Sequence, residues 1–517
     1  MAADAGLVNG GASNNEGFSK MMTEMRKVFE TGRTLPLAFR LRQLDRFYDM
    51  VNENFDDMLS ASNKDMRKTK FEAGSYELEI LKIEAKKMKK NLKTWVQREW
   101  LPFNILVPFD SACIKRDPYG LVLIIGPWNY PFLLPLQPLV GAIAAGNCCI
   151  LKPSEHSPHV SAKIAELIPK YLDPECYKVA QGGVQDTIQL LDQKFDYIFA
   201  TSSTCIGKSI MQAAARFLTP VTLELGGKSP VYIDEDADLE MTTKRILWGK
   251  CINLGQTCIA PDYVLCSRKA QTIFIENAKK YLQEWYGDDP KTSMDLPRII
   301  NLNHFKRLSK LLDGTSGNIA LGGDRDSEDL YISPTLVVDV NEEDMLMQEE
   351  IFGPILPFVT VNSKEEALKF IKSRPKPLAL YVFSKSTATM DYFIDRSSAG
   401  AVCVNDVVVQ NAWDGLAFGG VGDSGMGRYH GRYSYDTFSH EKSVLIRSFS
   451  KTGESMASVR YPPYSTRHMQ IIGAFVKHFT KFNIPQYKPL AYLLSFIGGV
   501  ASAIAVVGAR WITPKKR

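Results

Sequence analysis

The chain has 517 residues, of which 45% are hydrophobic and 23% charged, an ordinary globular composition with room for two or three domains. The net charge of +5 is unevenly placed: from Lys451 onward ten Lys/Arg face a single acidic residue, although the whole chain has 62 basic and 57 acidic residues. The body before Lys451 is therefore slightly acidic, which disfavours nucleic-acid binding. The basic tail instead favours contact with a membrane surface.

Cysteine and histidine usage argues against a metal centre. Nine cysteines are scattered along the chain without paired C-x-x-C spacing, and their number is odd. Neither a zinc cage nor the disulfide framework of a secreted protein is indicated, so a reducing compartment fits best. The seven histidines show no metal-like spacing and are interpreted as structural. We therefore predict no metal site.

The first elements in chain order are helical. Residues 1–17 contain no basic segment followed by an apolar core, so they are interpreted as a flexible leader rather than a secretory signal. Residues 18–97 alternate polar and apolar positions with few helix breakers, which predicts successive amphipathic helices. After Pro118 the pattern changes to short apolar runs that end in Gly, Pro or polar residues and are separated by helical segments. That alternation predicts a parallel, doubly wound α/β sheet.

A second alternating region begins near Lys228 and ends near Gly415, and it predicts a second α/β domain. Residues 451–488 are interpreted as a connector that contains an amphipathic helix. Four apolar residues share one face of that helix at helical spacing: Met469, Ile472, Val476 and Phe479.

The stretch 489–509 carries no charge over 21 residues. As a helix it would extend about 30 Å, the thickness of a bilayer core. Lys488 and Arg510 bracket it, and residues 510–517 form a basic end. A membrane span is the favoured interpretation, with a buried core helix or an interfacial helix as alternatives.

Three side chains are candidates for chemistry, each with a plainer alternative. Cys258 follows a Gly-Gln-Thr turn in "CINLGQTCIAPDY"; a reactive thiol needs a partly exposed, electropositive setting, but most cysteines are small core residues. Glu224 ends an apolar run before two glycines, where it could act as a general base or form an exposed salt bridge. Asn129 follows a buried strand, where its amide could donate to an oxyanion or only form a turn. Cys251 is interpreted as a packing residue, with a disulfide to Cys258 under oxidation as the alternative.

The segment "FATSSTCIGKSI" predicts a strand, a small-residue turn and a helix. Such a turn aims backbone N–H groups at a phosphate. It is not a full G-x-G-x-x-G sequence, so by itself the signal is weak.

Five segments, taken together and in this order, resemble the aldehyde dehydrogenase superfamily: "GPWNYPF", "LKPSEHSP", "LELGGKSP", "GQTCIAPDY" and "EEIFGPILP". The resemblance extends over residues 20–447 and is strongest to class 3. The tail is similar to that of the membrane-anchored members that act on fatty aldehydes. The implied fold is a Rossmann-like parallel-sheet cofactor domain, a second α/β catalytic domain, a small bridging or oligomerisation element and a C-terminal membrane helix.

The resemblance also implies domain limits. The NAD-binding domain would comprise residues 18–97 and 118–224, and the catalytic domain residues 225–415. The bridging or oligomerisation element would comprise residues 98–117 and 416–450.

The implied reaction is oxidation of medium- to long-chain aliphatic aldehydes to carboxylic acids. Cys258 would be the nucleophile, Asn129 would stabilise the oxyanion and Glu224 would activate the hydrolytic water. Two alternatives remain: a catalytically silent, membrane-anchored binding protein on the same fold, and a dehydrogenase that passes its acyl group to coenzyme A. Glu224 argues against the second, because hydrolysis is what needs a water-activating base.

The implied cofactor is NAD, with NADP as a possible alternative. A carboxylate accepts hydrogen bonds from ribose hydroxyls but repels a 2′-phosphate. The family usually has Gly where this chain has Ser202, so the serine could weaken cofactor binding if that position needs positive φ or close approach to the pyrophosphate. The implied cofactor residues are Lys152 and Glu155 at the adenosine ribose, Ser202 and Gly207 at the phosphate turn, Glu350 at the nicotinamide ribose and Phe352 at the ring.

The expected partners are a fatty aldehyde, a lipid bilayer and a second copy of the chain in a homodimer, with no nucleic acid. A membrane span that follows a large soluble body would be inserted after synthesis, which leaves the body in the cytosol. The endoplasmic reticulum is the favoured membrane, and the peroxisome and the outer mitochondrial membrane are alternatives.

Overall fold

The structure, a computed structural model, describes residues 14–102, 109–413 and 415–479. Within these residues, contacts separate two compact units. One holds the described part of residues 1–96 together with 117–440, and the other holds residues 97–116 together with those from 441 onward. Every catalytic and cofactor residue predicted above lies in the first unit.

Helices occur along the whole of the described chain. In chain order the α-helices are α1 (Asn14–Glu30), α2 (Leu37–Glu53), α3 (Phe55–Met66), α4 (Lys70–Ala73), α5 (Glu79–Trp95), α6 (Leu133–Ala145), α7 (Pro158–Tyr171), α8 (Val184–Leu191), α9 (Thr204–Ala215), α10 (Leu239–Cys251), α11 (Arg268–Tyr286), α12 (Leu302–Gly314), α13 (Lys364–Lys372), α14 (Thr387–Arg396), α15 (Arg432–Thr437), α16 (Lys451–Ala457) and α17 (Thr466–Phe479). A π-helical turn, Gly74–Leu78, joins α4 to α5, and a 3₁₀ turn, Ile252–Gly255, follows α10.

The strands are short. In chain order they are β1 (Glu99–Trp100), β2 (Ser111–Pro118), β3 (Leu121–Ile125), β4 (Cys148–Lys152), β5 (Tyr177–Val179), β6 (Tyr197–Thr201), β7 (Val221–Glu224), β8 (Pro230–Ile233), β9 (Tyr263–Cys266), β10 (Asn318–Leu321), β11 (Arg325–Asp326), β12 (Tyr331–Ile332), β13 (Thr335–Val338), β14 (Ile355–Thr360), β15 (Ala379–Phe383), β16 (Ala401–Val404), β17 (Gly425–Met426) and β18 (Ser439–Ile446).

The helices before β1 confirm the amphipathic pattern of the sequence. Helix α2 buries Phe39, Leu44, Phe47 and Val51, which recur on one face of the helix. These side chains join one hydrophobic core with residues of α5 and of the first sheet. The N-terminal helices therefore cover that sheet.

The first sheet has the strand order β17-β7-β6-β3-β4-β5. Strands β3 to β7 are parallel, and β17 pairs with β7 in the antiparallel direction at the edge. Strands β3, β4 and β6 are buried throughout, which explains their unbroken apolar runs. Ile125 pairs with Lys152, and Thr201 pairs with Glu224. The carboxyl ends of these strands therefore meet along one edge of the sheet.

The second sheet has the order β10-β13-β14-β9-β8-β15-β16, and the second α/β region predicted from the sequence is present. Its strands are parallel except β10, which runs antiparallel to β13. Two hydrophobic cores contain residues of this sheet.

In the second unit, β1, β2 and β18 form a three-stranded sheet. The guanidinium group of Arg116 donates to the carboxylates of Glu99 at 3.2 Å and Glu441 at 2.6 Å. Helix α17 occupies the segment predicted to be an amphipathic helix, and the side chains of Met469 and Val476 are exposed.

Among the helices of the described residues, none is both long and apolar enough to cross a bilayer. The span predicted at 489–509 and the basic end at 510–517 lie outside the described residues, as does most of the leader.

Candidate active site

Asn129 lies four residues beyond the end of β3 and is 3% exposed. Its side-chain Nδ2 donates to the carbonyl oxygen of Gln256 at 3.1 Å. Its own carbonyl accepts from Lys68 Nζ at 2.8 Å and from Asn253 Nδ2 at 2.9 Å. The amide is therefore held against the backbone two residues before Cys258, so the structure brings two of the predicted residues together.

Three consecutive residues with left-handed backbone conformation lie shortly before Cys258. Asn253, Leu254 and Gly255 have φ values of 50°, 53° and 71°. A Cβ at Gly255 would lie 2.2 Å from the carbonyl oxygen of Gly353, so only glycine fits there. Left-handed backbone at a residue such as Leu254 costs about 1–3 kcal/mol, which the surrounding contacts must offset. Cys258 is half-buried at the end of this turn.

Cys251 ends α10 and is buried in a hydrophobic core that contains residues of the second sheet, which is the packing role predicted for it. Burial raises the pKa of the Cys251 thiol to about 12, so the thiol is neutral at physiological pH.

The side chain of Gln256 stabilises the turn before Cys258 through hydrogen bonds to the backbone. Its Nε2 donates to the carbonyl oxygens of Asn253 and Arg298, both at 3.0 Å, and its Oε1 accepts from the Ile300 N–H at 3.1 Å. Every polar atom of this buried side chain therefore has a partner in the described structure. The sequence offered no pattern that predicted this clamp.

The Cys258 thiol is neutral in this arrangement. Burial raises its pKa to about 12, and the negative charges of Glu350 and then Glu224 add to the increase. The backbone N–H groups of Cys258 and Ile259 act in the opposite direction. A thiol is a strong nucleophile only as the thiolate, so a reaction at this sulfur would require transfer of its proton to a base.

Glu224 ends β7 and is buried, so the alternative of an exposed, salt-bridging glutamate is wrong. Neither carboxylate oxygen has a hydrogen-bond partner within the described part of the chain. Burial holds the pKa of this carboxyl well above its ordinary value. Because its charge also raises the pKa of Cys258, the carboxylate lies within electrostatic range of the sulfur.

Glu350 precedes β14 and lies against the glycines that follow β7. A Cβ at Gly226 would lie 2.0 Å from Glu350 Oε2, so this carboxylate fills the space beside that glycine. Burial raises the pKa of Glu350 to about 8, and the charge of Asp262 adds to it, whereas a hydrogen bond from the Gly227 N–H lowers it. The structure thus brings Glu224 and Glu350 to the same strand end.

Phe352 has a φ of 50° and belongs to an aromatic cluster. Its ring meets the Trp128 ring edge to face at 5.3 Å, and Trp128 lies 4.9 Å from the His304 ring. Burial lowers the pKa of His304 to about 4, so its imidazole is neutral at pH 7. The cluster connects Phe352 to the segment that carries Asn129, and nothing in the sequence indicated that His304, interpreted as structural, would lie in it.

Lys152 and Glu155 lie at the end of β4. Lys152 is buried, with Nζ 2.9 Å from the Pro153 carbonyl oxygen and 3.4 Å from Glu155 Oε2. Burial lowers the pKa of Lys152, and the carboxylate of Glu155 opposes that shift. Surface pairing therefore does not describe Lys152, and the two residues do lie together.

Ser202 and Gly207 lie at the junction of β6 and α9. The Ser202 N–H donates to the Glu224 carbonyl oxygen at 3.0 Å, and Ser202 is not among the residues with positive φ in the described chain. The serine therefore carries no left-handed strain. A Cβ at Gly207 would lie 2.5 Å from Leu225 Cδ2, so this glycine allows α9 to pack closely on the chain after β7.

A family model described as the aldehyde dehydrogenase family matches residues 5–444. The chain belongs to the aldehyde dehydrogenase family. It is 49% identical over 446 residues to aldehyde dehydrogenase family 3 member A2 of Rattus norvegicus, which covers 86% of this chain and 91% of the relative. It is 47% identical over 451 residues to family 3 member B1 of Homo sapiens, which covers 87% of this chain and 96% of the relative.

Solved structures agree with the family assignment. The substrate-bound AldH of Staphylococcus aureus superposes with a TM-score of 0.86 at 42% identity, over 89% of this chain and 99% of that one. An indole-3-acetaldehyde dehydrogenase in complex with NAD⁺ superposes with a TM-score of 0.76 at 25% identity, over 84% of this chain and 89% of that one. The resemblance inferred from the five sequence segments is confirmed, and the chain is an aldehyde dehydrogenase of a family that uses NAD or NADP.

Two charged residues of this aldehyde dehydrogenase escaped prediction. Lys68 and Glu77 are 1% and 0% exposed and form an ion pair at 2.8 Å next to Asn129. Lys68 lies in the short link between α3 and α4, and Glu77 lies in the π-helical turn. Lys and Glu are rarely fully buried unless they are paired. Only the fold reveals such a pair.

Proposed function

We propose that this enzyme oxidises medium- to long-chain aliphatic aldehydes to carboxylic acids, with NAD preferred over NADP. The observation that carries the proposal is the meeting of three groups at one edge of the first sheet. They are the half-buried thiol of Cys258, the fixed amide of Asn129 and the carboxyl of Glu224, whose oxygens have no partner among the described residues.

In the first step the Cys258 thiolate attacks the aldehyde carbon. A C–S bond forms, and the carbonyl π electrons move to the oxygen, which becomes the oxyanion of a thiohemiacetal. A side-chain amide has two N–H donors, and the Gln256 carbonyl takes one of those of Asn129. The other one and the backbone N–H of Cys258 stabilise the oxyanion.

The residues at the carboxyl edge suit a dinucleotide. Glu155 offers a carboxylate for ribose hydroxyls, the buried Thr201 hydroxyl has no partner among the described residues, and α9 begins directly after that strand end. Lys152 and Glu155 would hold the adenosine ribose, Glu350 the nicotinamide ribose, and Phe352 the ring. When bound, the nicotinamide would supply the hydride acceptor that the oxidation of the thiohemiacetal carbon to a thioester requires.

Hydrolysis then releases the acid. Glu224 takes a proton from a water molecule as the water oxygen bonds to the thioester carbon. The C–S bond breaks, the sulfur leaves as thiolate, and a carboxylic acid is formed. The raised pKa makes the Glu224 carboxylate, once it has lost its own proton, a stronger acceptor of the water proton.

The chain-length preference belongs to the same proposal. The tail anchors the enzyme to a membrane in which long-chain aldehydes dissolve, and the apolar face of α17 favours such substrates. The exposed side chains of Met469 and Val476 support an apolar contact for α17.

Two copies of the chain form a homodimer, which sedimentation of the purified enzyme would test.

The deciding experiment measures NADH formation over a series of aldehydes from hexanal to hexadecanal. The full-length enzyme and a chain lacking residues 465–517 are compared, and free acid and acyl-coenzyme A are quantified in the presence of coenzyme A. We expect free acid as the product and a full-length preference for long chains that is weaker after truncation. An unchanged chain-length profile would remove the tail from the proposal, and acyl-coenzyme A as the main product would contradict hydrolysis.

A further inference from the structure

The π-helical turn between α4 and α5 places a carboxylate inside the protein. The Glu79 N–H bonds to the Gly74 carbonyl oxygen five residues earlier, which widens the helix at this point. Such π turns occur frequently at functional sites. Here the widened turn carries Glu77, which is fully buried.

Glu77 forms a buried ion pair with Lys68, and the Lys68 ammonium also holds the Asn129 backbone. Lys68 Nζ lies 2.8 Å from Glu77 Oε1 and 2.8 Å from the Asn129 carbonyl oxygen. It also lies 4.3 Å from the centre of the Tyr130 ring. The ammonium therefore makes one hydrogen bond to Glu77 and one to the segment that contains Asn129.

Glu77 holds the far end of the same segment. Its Oε2 accepts from the backbone N–H groups of Phe132 at 3.1 Å and Leu133 at 3.2 Å, where α6 begins. A carboxylate is favourable at a helix N-terminus. One ion pair therefore clamps residues 129–133 from both ends.

Stability is a weak explanation for this pair. Removing two charges from water costs several kcal/mol per ion, and replacing a buried pair by apolar residues is often neutral or stabilising. What the pair supplies is position: it holds the backbone of the residue whose amide must meet the oxyanion.

We propose that Lys68 and Glu77 are positioning residues that hold Asn129 for oxyanion stabilisation; this rests on the role of Asn129 in the proposed function. The pair touches neither substrate nor cofactor in this role. It acts through the backbone of Asn129, so its effect on turnover requires the Asn129 side chain. A displacement of about 1 Å in such a group can lower a rate by about 100-fold.

A double-mutant cycle tests the proposal. The pair is replaced without leaving a lone buried charge, as Lys68→Met with Glu77→Leu, in wild-type enzyme and in Asn129→Ala. In the wild-type background we expect kcat to fall by about 10- to 100-fold with little change in KM. In Asn129→Ala we expect the pair replacement to cause no further loss. Alkylation of Cys258 by iodoacetamide, which needs no oxyanion, should be unchanged throughout.

Arg67→Met is the matched control. Arg67 precedes Lys68, and its guanidinium pairs with the carboxylate of Asp329 at 2.5 Å rather than with residues 129–133. We expect this variant to keep the wild-type kcat. If the pair replacement does not fold, Lys68→Arg, which keeps the charge but moves the donors, is measured in the same cycle, with a smaller loss that again requires Asn129.

The outcomes distinguish a failure of the positioning role from a failure of the role proposed for Asn129. An equal loss of kcat with and without the Asn129 side chain, or no loss in the wild-type background, would overturn the positioning role alone. A wild-type kcat in Asn129→Ala itself would overturn the proposed role of Asn129, and the positioning role with it.

Discussion

The carboxylate of Glu350 occupies the space that a side chain at position 226 would need, since a Cβ on Gly226 would lie 2.0 Å from its Oε2. Gly226 is two residues beyond Glu224, so the carboxylates of Glu224 and Glu350 both lie at the end of β7. Both charges raise the pKa of Cys258, that of Glu350 more than that of Glu224. The protonation state of the Cys258 thiol therefore depends on two acids rather than one.

Replacement of Glu350 by Gln should lower the pKa of the Cys258 thiol from about 12, because a nearby negative charge disfavours the thiolate. Glu350 has a pKa of about 8 and is mostly neutral below that pH. The alkylation rates of wild type and variant should therefore converge below pH 8 and diverge above it, with the variant faster. The measurement is the pH dependence of Cys258 alkylation without NAD.

Glu349→Gln is the control for that experiment, because Glu349 is exposed and its carboxylate pairs with Arg307 at 3.0 Å. Its alkylation profile should match the wild type. Identical profiles for Glu350→Gln and wild type would mean that Glu350 does not act on the thiol.

Replacement of Glu224 by Gln should stop hydrolysis while leaving acylation intact, because an amide cannot take a proton from water. We expect about one equivalent of NADH per active site in a rapid burst, followed by turnover lowered by about 10²- to 10⁴-fold. Mass spectrometry should find the acyl group on Cys258. A variant that shows neither burst nor acyl-enzyme would remove Glu224 from the hydrolytic step.

Replacement of Asn129 by Ala should lower kcat by about 10²- to 10³-fold, because one oxyanion donor is lost. Steady-state kinetics with one aldehyde at saturating NAD measures this. Asn91→Ala is the control, since Asn91 bonds only to a backbone carbonyl in its own helix in the described structure. Equal kcat values for the two variants would argue against an oxyanion donor at position 129.

Replacement of Glu155 by Gln should improve the use of NADP relative to NAD, because the carboxylate that repels a 2′-phosphate becomes neutral. The ratio of kcat/KM for the two cofactors should shift toward NADP. Glu166→Gln, an exposed residue paired with Lys163 and Lys170, should leave the ratio unchanged. A ratio insensitive to Glu155 would place the ribose contact elsewhere.

Part of this site could be predicted from the sequence because its residues follow strand ends. Asn129, Lys152, Ser202 and Glu224 each stand at or shortly after the end of an apolar run, and the carboxyl ends of parallel strands meet at one edge. Their order along the chain, combined with the family resemblance, was enough to bring them together.

The rest depends on contacts between distant segments, for which the sequence has no periodic signal. Lys68 is buried where its ammonium bonds to the carbonyl oxygen of Asn129, 61 residues further along the chain. The sequence around Lys68 instead has a helical pattern that predicts solvent-exposed charged side chains. The placement of the Glu350 carboxylate depends on Gly226, which lies far away along the chain, and the Gln256 hydrogen bonds depend on the carbonyl of Arg298. Such pairings are properties of the folded chain.

The close fit of Gly255 against the Gly353 carbonyl has a practical consequence for engineering. The loop that presents Cys258 and the loop that carries Glu350 and Phe352 are shaped against each other at that point. A graft from a relative intended to change substrate range should therefore import residues 253–258 and 350–353 as a single cassette. Transplanting either loop alone would risk a steric clash between the two backbones where Gly255 meets the Gly353 carbonyl.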